Sequence, residues 1–219
     1  MNLTRPLILA VAFTAASIGL GVWAYLQLPA HVTFGMNYGL DGRPHSFLPK
    51  GEGLAIMPGV AMLVVSILAV APYRSRAKTG LLASADSYGL LLSSLAALFL
   101  VAQAALIAHA FDPAFDVLRW VFLAGAVLIA LVGNTLGKVR PNDVFGLRTR
   151  WTLADPRVWD KTHRFTGRAM VAGGLIFAVV AFLIPDHRLL IAAFVLCVVV
   201  PLITGAIYSR RISAQPQPS

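Results

Sequence analysis

The sequence predicts an all-α fold: a polytopic membrane bundle of about six transmembrane helices with the N- and C-termini cytoplasmic. Three observations carry that prediction. The 219 residues are 58% hydrophobic and only 12% charged, about half the charged share of an ordinary soluble domain. Six apolar runs each approach the roughly 20 residues that cross a bilayer as a helix, and together they leave no room for a separate soluble domain. Of the eighteen Lys and Arg residues, fourteen fall on the side holding the termini and four on the other, and cytoplasmic segments are the ones that retain positive charge.

The first run, Pro6 to Leu26, follows a short polar start. It continues past the 7 to 15 apolar residues of a secretory signal, so it reads as an uncleaved helix. An external loop, 28–53, comes next, rich in Gly, Pro and turn formers such as Asp41-Gly42. The second run is Leu54 to Ala71, and Arg74, Arg76 and Lys78 mark a cytoplasmic return. Tyr88 to Ala110 and Val117 to Leu136 form the third and fourth runs, with a short hinge between them. Ala169 to Ile184 and Leu189 to Tyr208 are the fifth and sixth. Short connections place successive helices antiparallel and adjacent. Small residues recur at helical spacing, Ser93 and Ala97, Gly125 and Gly133, and Gly167, Val171 and Gly174, as close-packed membrane helices require. The polar stretch 212–219 reads as a disordered tail.

Several chemistries are set aside. The net charge of +9 follows topology and complements an anionic leaflet, so direct nucleic-acid binding is not expected. Cys197 cannot form an intramolecular disulfide and sits in an apolar run. His31, Asp41, His45, His109 and His187 lack compact ligand spacing, so neither a metal nor a cofactor is expected. No phosphate loop, nucleophile elbow or zincin motif occurs.

The most specific stretch is 138–168, which holds eight of the eighteen cations and two of the four Trp residues between two apolar runs. Asp155-Pro156 is a helix start, an N-cap followed by a residue suited to the first helical position. On a helix beginning there, Arg157, Lys161, Arg164 and Arg168 share one face, and Trp159, His163 and Thr166 the opposite one. The cationic face suits lipid phosphates, and Asp160 to Arg164 is an i, i+4 pair. Arg148, Trp151 and Thr152 precede it, so guanidinium forks and flat rings fall close together, with Arg148, Trp151, Trp159 and His163 expected to shape a pocket or docking surface. For the two Trp residues, an interfacial belt and a binding role both stand.

"GNTLGKVRPNDVFGLRTRWTLADPRVWDKTHRFTGR", Gly133 to Arg168, resembles the signature of the SdpI family of bacterial toxin-immunity membrane proteins, with a pattern of G-N, K-x-R-x-N, G-x-R-T-P-W-T, W, T-H-R and G. The resemblance rests on Asn134, Lys138, Arg140, Asn142, Gly146, Arg148, Thr149, Trp151, Thr152, Trp159, Thr162, His163, Arg164 and Gly167. Arg150 stands where the family usually has Pro, and loss of that fixed φ is expected to loosen the turn before Trp151. Residues 28–53 resemble, more weakly, a domain of unknown function that often precedes the SdpI domain, through Leu28, Pro29, Gly42, Pro44 and Lys50.

The resemblance divides the chain into an N-terminal two-helix region, 1–80, an SdpI-like four-helix region, 81–211, with its motif segment at 133–168, and the tail. It implies a multi-pass protein of the bacterial cell membrane that protects the cell from a secreted peptide toxin met outside or within the membrane. In some members it also implies capture of a cytoplasmic repressor. Membrane lipids are the other expected partner. The candidate binding residues are Asn134, Arg140, Asn142, Arg148, Trp151, Thr152, Trp159, His163 and Arg164, with no catalytic residue assigned. The rival reading is an enzyme or transporter acting on an anionic lipid or peptide, with Arg148 and Arg164 as anion clamps and His163 as acid or base.

Overall fold

The computed structural model describes residues 3–75 and 78–215. Six of its helices are long and apolar enough to cross a membrane: α1 (Thr4–Gln27), α2 (Lys50–Val70), α4 (Ala85–Phe111), α5 (Val117–Leu136), α7 (Pro156–Leu183) and α8 (His187–Ser213). Two short helices, α3 (Lys78–Leu82) and α6 (Arg150–Ala154), lie in connections. Six crossings put both termini on one side, called here the termini side. Arg76 lies outside the described residues, as does 216–219 of the predicted tail. The start of that tail is corrected: α8 runs on to Ser213, and Ile212 is buried, so an apolar contact extends the helix past Arg211.

The external loop is the larger correction. Thr33–Tyr38 (β1) and Pro44–Pro49 (β2) pair as an antiparallel hairpin with Phe34 opposite Leu48 and Tyr38 opposite Pro44. The turn at Asp41-Gly42 is where the sequence placed it, with Gly42 at φ +76° and the Asp41 carboxylate accepting from the Arg43 N–H. Phe34 is buried among Ala24, Leu28, Leu54 and Leu106, against Gly53, where a Cβ would stand 2.5 Å from the Phe34 Cβ. The hairpin therefore seats on the outer end of the bundle with the Phe34 ring buried and Met36 and Tyr38 packed beside it. Lys50 secures its base, donating to the carbonyls of Tyr25 (3.0 Å) and Leu28 (2.9 Å) at the end of α1. That is a cation placed where a helix C-terminus presents free carbonyls.

Helices α1, α2 and α4 pack on one another, α5 and α7 pack along their lengths, α7 packs on α8, and α4 joins the two groups through α5. The small residues make the close approaches expected of them. A Cβ on Gly133 would lie 2.7 Å from the Gly167 carbonyl oxygen, and one on Gly174 2.7 Å from that of Ala126.

Pro58 lies inside α2 and has no N–H to give the Leu54 carbonyl four residues earlier. The Gln103 side chain of α4, fully buried, supplies that donor at 3.0 Å, across a gap kept open by Gly21. A Gln103→Leu variant is therefore expected to lose about 1 kcal/mol, and to lose less in a Pro58→Ala background where the helix satisfies its own carbonyl. Denaturation of the four proteins of this cycle in detergent checks it; equal losses in both backgrounds would remove the proposed link between the proline and the glutamine.

On the hairpin side, Asp116 caps α5 through the Arg119 N–H and also accepts from the Arg119 Nε and from His187 Nε2, each at 3.0 Å. Arg119 continues to the carbonyls of Ala181 and Ile184 at the end of α7. Burial pushes the Asp116 carboxyl upward, but hydrogen bonds from His187 and Arg119 outweigh it and hold the group below the usual aspartate range. The hairpin tip rests on this cluster: a Cβ on Gly42 would meet the His187 ring at 2.5 Å.

Candidate functional site

Leaving α5, the chain turns at Gly137 and buries Val139 in a cluster with Leu136 and Trp159. Asn142, also buried, shapes the next turn: its Oδ1 accepts from the N–H groups of Val144 and Phe145, and its Nδ2 donates to the Arg140 carbonyl at 2.8 Å. The Arg140 N–H reaches the hydroxyl of Ser84 (2.8 Å), and Ser75 donates to Asp143. These two serines tie the motif loop to the preceding connection, and sequence reading missed both because neither lies in a recognisable motif.

Gly146, at φ +117°, brings the backbone over the ring of His163. A Cβ there would stand 2.6 Å from His163 Nε2 and 3.3 Å from the Trp159 ring. The Leu147 N–H then donates to that Nε2 at 3.0 Å. Because Nε2 accepts, Nδ1 carries the proton and donates to the Trp159 carbonyl at 2.9 Å. The two rings stack, with centroids 4.0 Å apart and planes 19° apart, and Trp159 Nε1 donates to the Val139 carbonyl at 2.7 Å. Both side chains are 0% exposed.

Thr149 and Thr152 form a reciprocal capping box that starts α6. Thr152 Oγ1 also donates to the Leu147 carbonyl (2.8 Å), and Thr149 Oγ1 meets the Ser209 hydroxyl of α8 (3.1 Å). This box holds the turn that the replacement of Pro by Arg150 was expected to loosen. Its signal, threonines three residues apart, was legible in the sequence but went unread. Arg150 occupies the first helical position, where Pro would also fit, and lays its guanidinium over Trp151, 4.6 Å from the ring centroid. Asp155 caps α7 as predicted, accepting from the Arg157 N–H.

The predicted residues thus separate into two sets. Asn142, Thr152, Trp159 and His163 are buried and directed at their own backbone, so the pocket expected from Trp159, His163, Arg148 and Trp151 is not formed by these side chains together. Arg148 is exposed and has no hydrogen bond or ion pair among the described residues, so its guanidinium faces outward. Arg140 pairs with Asp160 at 3.4 Å, which takes the carboxylate expected to serve Arg164. The two faces of α7 follow the sequence reading, with Trp159, His163 and Thr166 buried and Lys161, Arg164 and Arg168 exposed, except that Arg157 is half-buried beside Asp155. Asn134 and Arg164 meet elsewhere, in a groove between α5 and α7 that Gly133, Gly137, Gly167 and Arg168 also line.

Residues 138–209 match the SdpI/YfhL protein family, bearing out the resemblance of the 133–168 segment to the SdpI family. The Immunity protein SdpI of Bacillus subtilis (strain 168) is 31% identical over 86 residues, 39% of this chain and 42% of that protein. The Uncharacterized protein YfhL of the same strain is 28% identical over 93 residues, 41% of this chain and 84% of that protein. The match to the immunity protein spans under half of that protein's length. No solved structure matches significantly.

Proposed function

We propose, from the SdpI/YfhL family match over 138–209, that this multi-pass membrane protein acts in the bacterial cell membrane as an immunity protein against a secreted peptide toxin. The termini and the motif loop face the cytoplasm in this reading. The observation that carries it is the coincidence of the family match with the loop built around Trp159 and His163, in which buried residues fix the backbone, Arg148 is exposed and Trp151 is half-buried. A loop so fully occupied with its own hydrogen bonds suits a rigid binding platform. It suits acid or base catalysis less well, since both nitrogens of His163 are engaged with backbone and no solvent reaches them.

The same exposed guanidinium supports a second role, docking of a cytoplasmic repressor. Arg148 is a fork donor with nothing on it among the described residues, and the neighbouring Arg150 and Trp151 extend the surface. Both readings are tested in toxin-sensitive cells that lack their own immunity protein. Expression of the chain is expected to restore growth under toxin, and membrane fractions are expected to retain the repressor when toxin is present. Arg148→Ala should lower repressor retention at unchanged protein abundance. Growth arrest matching that of cells without the chain, with the protein inserted in the membrane, would refute the immunity reading.

A further inference from the structure

We propose that the groove between α5 and α7 binds one anionic phospholipid from the termini-side leaflet, its phosphate between Arg164, Arg168 and Asn134 and an acyl chain along Val171, Ala172 and Leu175.

The groove changes character along its length in the way such a molecule does. Arg164 and Arg168 stand one turn apart on α7 and Asn134 faces them from α5, while the far half, Val171, Ala172 and Leu175, is wholly apolar. Its floor is glycine. Gly133 and Gly167 touch backbone to backbone, and a Cβ on Gly137 would press on Arg164 Cγ at 3.1 Å, so larger residues there would displace the arginine or fill the cleft. Both arginines are exposed and have no hydrogen bond or ion pair among the described residues. Neighbouring Arg140 and Arg157 are instead matched to Asp160 and Asp155.

Two cations with no acid lining the groove favour a headgroup of net negative charge over a zwitterion, whose ammonium they would repel. Inorganic phosphate would use the arginines and leave the apolar half without purpose, so the occupant is a lipid. This site is independent of the toxin reading, since it rests only on the chain spanning a bilayer.

The test is native mass spectrometry of the full chain released from vesicles of phosphatidylglycerol or of phosphatidylcholine. One phosphatidylglycerol is expected to stay bound to the wild-type protein, and phosphatidylcholine is not. Arg164→Gln/Arg168→Gln should weaken retention on the order of tenfold or more. Arg210→Gln/Arg211→Gln, which removes two exposed cations elsewhere on the same side, should leave it unchanged. Ala172→Phe, at an exposed position, should block the apolar half and release the lipid with both arginines present. The proposal is overturned if no lipid is retained, if both arginine pairs lose it equally, if Ala172→Phe keeps it, or if inorganic phosphate displaces it as readily as added phosphatidylglycerol.

Discussion

Trp159→Ala is expected to cost about 3–5 kcal/mol, the range for deleting a large buried aromatic side chain. The ring is fully buried, stacks on His163 and satisfies the Val139 carbonyl through its Nε1, so its removal opens a cavity and leaves a carbonyl without its donor. Trp159→Phe separates those effects. Phenylalanine keeps most of the apolar contact and loses the donor, for an expected cost of about 1–3 kcal/mol. Thermal unfolding in detergent should rank the three proteins in that order. Membrane insertion should be the same in all, because no apolar run is touched. A Trp159→Ala protein as stable as wild type would show that the loop does not depend on this ring.

Gly146→Ala should loosen the same loop from the other side. A side chain at φ +117° is strained by about 1–3 kcal/mol, and its Cβ would lie 2.6 Å from His163 Nε2, displacing the acceptor of the Leu147 N–H. The combined loss is on the order of 2–4 kcal/mol. Limited trypsin digestion reads it directly, since Arg148 and Arg150 follow within four residues and both are exposed. Cleavage there should be much faster in the variant. Gly19→Ala, where a Cβ would meet nothing within 4 Å, is the matched control and should be cut at the wild-type rate.

The membrane spans were legible because lipid imposes a length and a composition that a single sequence reveals, and α5 was placed to the residue at both ends. The start of α7 was legible for a local reason, the Asp155-Pro156 cap, and its two faces followed from helical period. The hairpin was not. Gly35, Gly39, Gly42, Pro44 and Pro49 read as loop, and the alternation of Phe34, Met36 and Tyr38 toward the bundle is too short to outweigh them. Within the motif, the residue types were legible but their directions were not. Trp159 and His163 look like ligand-binding residues until the loop is folded, when backbone groups from Val139 and Leu147, distant along the chain, take up their polar atoms. Arg148 was expected to shape a pocket or docking surface together with Trp159 and His163 and instead lies exposed, while those two rings are buried.

The contact between Gly42 and His187 has a consequence for the order in which the protein is made. The hairpin leaves the ribosome early, between the first two membrane helices, while its seat at the start of α8 is synthesised nearly 150 residues later. Until then the tip lacks its His187 contact, and the Asp116 carboxylate lacks one of its donors. Arrival of α8 therefore closes a ring that joins the hairpin after α1 to the helix that follows α7. A nascent chain stopped short of residue 187 can insert five helices and bury Phe34, yet it lacks the His187 contact at the hairpin tip.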